Sequence, residues 1–316
     1  MCDKNDNLIN KISCPDFVNQ FLRRFLFSRF SPGLTYEIPC IFYSYRTKFM
    51  YSVCGPLSLA RFYGQSKLFS WVFSVPPPNI INPLNPYHPK NLKSNAGFLC
   101  LTPAAEKHFS QFAPSKFIPW CVDQKLFNGE PPLINPNKPF FLASGKTGRD
   151  YDTLVKAANY TNAEIRIIGP RVQKPRDLPS NVNWIDTSSN PPDQAIDYPT
   201  LKEWYAQCTA VCIPLSGDAN DTCGYTNVLE AMAMRKPVLM TRSGCLHINP
   251  QSDGFGIQIK PRDVRGWTQA MNRLHKDHEK ALYMGNRGRK IVERDFTIER
   301  FNKDVLDFIE TILNKS

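Results

Sequence analysis

Gly224-Tyr-Thr-Asn-Val-Leu-Glu230-Ala-Met-Ala-Met-Arg-Lys-Pro237-Val-Leu-Met-Thr-Arg242 is the stretch from which the fold can be read. A glycine turn opens a short helix, a proline breaks it, and an apolar β-branched run follows as a buried strand. A helix entered from glycine presents unpaired backbone N–H groups to an anion. Glu230, about a turn and a half into it, is placed to accept from hydroxyl groups of the same ligand. An anion beside paired hydroxyls points to a nucleotide.

Outward from that stretch, residues 131–316 alternate. Strands are expected at 139–143, 164–168, 182–185, 210–214, 237–241 and 255–259, and helices at 151–158, 198–207, 226–234, 264–275, 279–294 and 298–314. Such alternation predicts a parallel, doubly wound α/β sheet that binds ligands at the carboxyl ends of its strands. Three loops fall there. Ser144-Gly145-Lys146-Thr147-Gly148-Arg149-Asp150 carries two glycines for close backbone approach and two cations for phosphate, without the Walker A spacing. Leu215–Tyr225 carries Asp218, Asp221, Thr222 and Gly224, whose acids suit sugar hydroxyls, a helix cap or a metal. Arg242–His247 has no evident role, and His247 reads as a loop histidine.

Residues 1–130 are less regular. Strand-like runs cover 38–45, 68–74, 97–101 and 116–122, and helical ones 56–62 and 104–112. Pro76–Pro89 forms a proline-rich loop suited to a lid or an acceptor contact, with Asn82, Asn85 and His88. Residues 16–30 space Phe and Leu helically around Arg23, Arg24 and Arg29. That pattern fits either a helix lying in a membrane interface or one burying its Phe face. The composition of 128–138 is that of a linker, which sets domains at 1–130 and 131–316.

The chain has 316 residues and a net charge of +11. Residues 1–130 carry 14 Lys/Arg against 7 Asp/Glu, so the first half supplies most of the excess. A basic half suits lipid head groups, acidic glycans or nucleic acid. No stacking-platform or helix-turn-helix signature supports nucleic acid. The ten cysteines show neither Cys-x-x-Cys pairs nor zinc spacing, which reads as reduced thiols in a cytoplasmic protein. No apolar run reaches membrane-spanning length, and the polar start is unlike a signal peptide.

Phe141–Leu154 with Gly224–Val238 resembles a retaining glycosyltransferase of family 4. Asp253–Ile259, Met284–Arg287, Asp295–Phe301 and, in the first half, Ile118–Asp123 extend the resemblance. It implies the GT-B fold: two Rossmann-like domains with parallel sheets, the N-terminal acceptor-side one shortened here. It also implies a hexosyltransferase moving sugar from a nucleotide-diphosphate sugar to a glycan or lipid-linked acceptor, with no cofactor and no metal. Lys146 takes the place of the family's usual Arg and Arg149 that of its Lys, both on the donor diphosphate. Glu230 matches the second acid of the Glu-x7-Glu motif, which bonds ribose. Gly145, Gly224 and the backbone of Tyr225 and Thr226 fall on the phosphate, and the base is expected near Gly169-Pro170 and 185–187. The first acid of that motif is replaced by Thr222, with Asp221 as its neighbour and catalytic substitute. The family's acceptor-side histidine has no clear counterpart, and His88 is the nearest by composition. The shortened first domain leaves a second expectation open: a non-catalytic nucleotide-sugar-binding or partner subunit. A peripheral membrane contact through 16–30 completes the list of expected partners.

Overall fold

The computed structural model describes residues 34–53, 55–129, 139–187, 196–217, 222–242 and 246–314. The helix expected at 16–30 and the acids Asp218 and Asp221 lie outside them. Chain contacts divide the protein into two units, 1–118 with 305–316, and 119–304.

In the first unit, helix α1 (Leu34–Ser44) precedes β1 (Phe49–Ser52) and β2 (Lys67–Val72). Then follow α2 (Pro89–Leu92), β3 (Gly97–Cys100), α3 (Pro103–Phe109) and β4 (Ser115–Phe117). All four strands are parallel, in the order β1-β2-β3-β4. Their side chains are buried on both faces: Val72, Leu92, Phe98 and Phe109 form one cluster, Met50, Ala60 and Leu68 another. The strand expected at 38–45 is the helix α1. Its fully buried positions, Glu37 and Ser44, are polar, with Cys40 half-buried between them, while Phe42 and Tyr43 are exposed. The helical period is therefore carried by the polar side chains, and the aromatic run hides it. Buried Glu37 is satisfied by the amide of Leu59 at 2.6 Å. Of the helix expected at 56–62, only the 3-10 turn Ala60–Phe62 forms.

The second unit holds β5 (Phe140–Ser144), α4 (Tyr151–Ala158), β6 (Glu164–Pro170), β7 (Val182–Thr187), α5 (Tyr198–Gln207) and β8 (Ala210–Ile213). It continues through α6 (Tyr225–Ala233), β9 (Val238–Thr241), β10 (Gly256–Ile259), α7 (Val264–Lys276), α8 (His278–Asp295) and the start of α9 (Ile298–Leu313). The end of α9 belongs to the first unit, where Phe308 meets Phe69 edge-on at 6.4 Å. The six strands are parallel, in the order β10-β9-β8-β5-β6-β7. Read from β7, this is the Rossmann order, and its direction of winding reverses between β5 and β8. In open α/β sheets, ligands bind at such a switch point, outside the carboxyl ends of the strands.

Gly224 makes the turn into α6 possible. Its φ is +84°, and a Cβ there would sit 2.6 Å from Cγ2 of Ile213. Left-handed backbone and overpacking each cost about 1–3 kcal/mol in a side-chain-bearing residue. Gly224→Ala is expected to destabilise the protein by roughly 2–4 kcal/mol. An unchanged urea midpoint would rule this out.

Candidate functional site

The loop leaving β5 builds one wall of the switch point. Gly145 and Gly148 both have positive φ, +136° and +65°. The guanidinium of Arg149 lies over Gly145, in space that any Cβ would take. Its Nε and Nη2 each donate to the carbonyl of Ser144 at 3.3 Å, and its Nη1 to that of Thr147 at 2.8 Å. Nη2 also donates to Oδ1 of Asn227 at 2.7 Å. These acceptors are all neutral, so they fix the group without cancelling its charge. The loop is tied to β8 by the amides of Asp150 and Ser216, at 2.8 and 3.1 Å from the carbonyls of Pro214 and Gly148. Lys146 is exposed, and its carbonyl accepts from Nε2 of Gln173 at 2.7 Å.

The other wall is the N-terminus of α6. Gly224 gives the helix no side-chain cap. The amide of Tyr225 turns back to the carbonyl of Thr222 at 3.3 Å. The next amides of the first turn, Thr226 and Asn227, are therefore the better placed for an anion, aided by the helix dipole. Below them Nδ2 of Asn227 donates to Oγ of Ser144 at 3.0 Å and to the hydroxyl of Tyr205 at 3.3 Å. Tyr205, fully buried, donates to Oε2 of Glu230 at 2.8 Å. Burial raises the Glu230 carboxyl to about 6, against the lowering effect of that bond.

Beside these walls, Gly169, next to last in β6, lies beneath two rings. A Cβ there would crowd Trp184 and Tyr151, which meet edge-on at 5.2 Å. The Tyr151 hydroxyl donates to the carbonyl of Gly145 at 2.8 Å, joining this corner to the Arg149 loop. Nε1 of Trp184 and Oγ1 of Thr187 are buried without a hydrogen-bond partner. On the far side, His247 follows β9, its ring edge-on to Tyr225 at 5.6 Å. The residue keeps an exposed edge, yet desolvation, then Arg300, lower its ring to about 4. It is thus neutral at pH 7 and adds no charge to the site.

A separate cavity of about 800 Å³ is lined by His247, Asp253, Arg287, Lys290, Arg294 and Arg300, among others. Arg294 is held by Asp295 at 2.7 Å and Arg300 by Asp304 at 3.0 Å. Two of its four cations are thus held by carboxylates, whereas the acceptors of Arg149 are neutral.

Of the residues singled out from sequence, Gly145, Arg149, Gly224, Tyr225, Thr226 and Glu230 meet around the switch point, with Lys146 on its rim and Gly169 one strand away. His88 belongs to the first unit, where its Nδ1 caps α2 by accepting from the amide of Lys90 at 3.2 Å. The Pro76–Pro89 loop near it is pinned by buried Asn91, whose Nδ2 donates to the carbonyls of Pro83 and Asn85. Ser144, Tyr205 and Asn227 were not anticipated. Asn227 could have been found, since it shares the Glu230 face one turn away. Tyr205 arrives from another helix and leaves no such signal.

Residues 149–277 match the family model described as glycosyl transferases group 1. No protein of curated function matches the sequence. Among solved structures, the chain is similar to a sucrose-phosphate synthase from Thermosynechococcus elongatus. The TM-score is 0.70 at 16% identity, over 93% of this chain and 80% of that one. It is similar to Anabaena HepE solved with UDP and glucose, with a TM-score of 0.62 at 13% identity over 89% and 83%. It is also similar to WaaG, a glycosyltransferase involved in lipopolysaccharide biosynthesis, with a TM-score of 0.62 at 14% identity over 86% and 81%. The fold is accordingly the GT-B type, α/β with parallel sheets in two Rossmann-like units.

Proposed function

We propose that this chain is a glycosyltransferase that takes a sugar from a nucleotide-diphosphate sugar, with retention, and places it on a glycan or lipid-linked acceptor. The observation that carries the proposal is Arg149, fixed by neutral acceptors and facing an uncapped helix N-terminus at the sheet's switch point, with Glu230 behind. Diphosphate would lie between the guanidinium and the amides of Thr226 and Asn227, and Lys146 would close over it from the rim. Glu230 would accept from the ribose hydroxyls, and the base would sit toward Gly169 and Thr187. The match to group 1 glycosyltransferases and the UDP named for HepE support the same ligand class.

In the reaction, the bond from the anomeric carbon to the diphosphate oxygen breaks with its electron pair on the diphosphate. The acceptor hydroxyl bonds the same carbon on the same face, and its proton passes to the departing diphosphate oxygen. The developing negative charge is met by Arg149, Lys146 and the α6 dipole, so the proposal needs no resident metal. Asp221, next to Thr222, is the proposed substitute for the family's first acid, and His88 the proposed acceptor-side group. A contact of 16–30 with a membrane surface would bring a lipid-linked acceptor within reach. Among the described residues no helix is long and apolar enough to cross a membrane.

Thermal unfolding in the presence of UDP, GDP, ADP and their sugars tests the ligand class. At a hundred times its Kd a ligand adds about 2.7 kcal/mol, which moves the midpoint visibly. A flat response to the whole panel would refute the proposal. Binding without sugar transfer or donor hydrolysis would favour the non-catalytic subunit. Binding should also tighten as pH rises through about 6, because only the ionised Glu230 accepts from both hydroxyls. Glu230→Gln is expected to flatten that rise. A rise of undiminished size in the variant would exclude Glu230 as its source.

A further inference from the structure

We infer that Asn227 and Tyr205 are positioning residues whose side chains couple Arg149 to Glu230, so that the phosphate and ribose ends of a nucleoside diphosphate bind cooperatively. The inference rests on the nucleotide reading above. It is carried by the direction of three hydrogen bonds. Arg149 Nη2 donates to Asn227 Oδ1 at 2.7 Å, Asn227 Nδ2 to the Tyr205 hydroxyl at 3.3 Å, and the Tyr205 hydroxyl to Glu230 Oε2 at 2.8 Å. A guanidinium only donates, so Asn227 must turn its oxygen to Arg149. That leaves the amide nitrogen for Tyr205 and for Ser144 Oγ, 3.0 Å away. The tyrosine oxygen accepts from Asn227, and its proton goes to Glu230. Every bond runs the same way, from the cation to the carboxylate.

Bonds aligned in this way polarise one another, and the fully buried Tyr205 keeps water out of the middle of the chain. The sign of the coupling follows. An anion on Arg149 draws the guanidinium toward itself and weakens its pull on Asn227. Tyr205 then donates less strongly to Glu230, whose carboxylate becomes a better acceptor for the hydroxyl pair. Phosphate binding therefore strengthens ribose binding, and the converse holds by linkage. Asn227 and Glu230 lie one turn apart on α6, so the helix itself fixes the spacing of the two ends.

Calorimetric binding of UDP tests this with a double-mutant cycle of Arg149→Gln and Glu230→Gln. In the wild-type background the two losses in affinity should depart from additivity by about threefold or more. In a Tyr205→Phe background, which keeps the ring and removes the bridging hydroxyl, they should be additive. Asn227→Ala, which breaks the bridge one bond earlier, should give the same additivity. Additive losses in wild type, or equal departures in all backgrounds, would overturn the inference.

A second readout uses the ligand-free protein, the Glu230 carboxyl being titrated by carbon NMR. Arg149→Gln should raise its midpoint in wild type and leave it unmoved in Tyr205→Phe. An equal rise in both backgrounds would mean charge acting through space, and the bridge would be rejected. If the titration behaves as expected while UDP, GDP and ADP all fail to bind, the bridge stands and the nucleotide reading falls.

Discussion

Arg149→Ala is expected to lower turnover at least about a hundredfold, because a preorganised charge facing the leaving group is removed. The side chain makes its contacts to Ser144, Thr147 and Asn227 through three different nitrogens at once. A lysine has a single nitrogen and cannot reproduce that fork, so Arg149→Lys should recover little of the loss. Lys146→Ala should cost less, about tenfold, since an exposed amine acts through a screened charge. Steady-state kinetics with a nucleotide-sugar donor checks all three. Wild-type donor affinity and turnover in Arg149→Ala would remove the loop from the site.

Lys236→Met is expected to stabilise the protein by roughly 2–3 kcal/mol at pH 7. Lys236 is 1% exposed, and its Nζ is buried without a hydrogen-bond partner. It follows the left-handed turn at Arg235 that closes α6, and its amide is held by the carbonyl of Ala231 at 2.8 Å. The chain is thereby committed to placing this side chain inward. Burial lowers the amine from 10.5 to about 8, with Cys208 opposing the change. Between those values the unfolded chain binds the proton more tightly than the folded one, so stability rises with pH across that window. Below about 8 both states are charged and the burial penalty is complete, roughly 3 kcal/mol at about 1.4 kcal/mol per pH unit. Methionine fills similar space without a charge to desolvate. The difference between variant and wild type in urea should be largest at pH 7 and shrink toward pH 10. A variant no more stable than wild type at pH 7 would show that Lys236 is satisfied in solution.

The contrast between these two cations also shows how far a sequence reaches. Arg149 sits in a glycine-bearing loop between a strand and a helix, a local pattern that is legible in a single chain. Lys236 sits in Arg-Lys-Pro, which looks like a solvated turn, and nothing local says that the backbone of this turn packs against Gly285 of α8.

Element by element the same division holds. Helices 151–158 and 198–207 fall where the sequence puts them, because each has an Asp cap, at 150 and 197, and an apolar strand on either side. Helix α1 does not, because the residues it buries, Glu37 and Ser44, are ones a hydrophobic pattern ignores.

The sequence by itself determined the alternation of strands and helices in the second unit, the glycine turn into α6, and the presence of Arg149 and Glu230 beside it. These rest on spacing along the chain, which side-chain chemistry and backbone conformation set locally. Only the tertiary structure decided that β5 and β8 are neighbours, and hence that Ser144, Arg149, Tyr205, Asn227 and Glu230 form one hydrogen-bonded set. Strand order depends on which apolar faces bury one another across tens of residues. That competition is settled by packing of the whole sheet, and no short stretch of the chain records it.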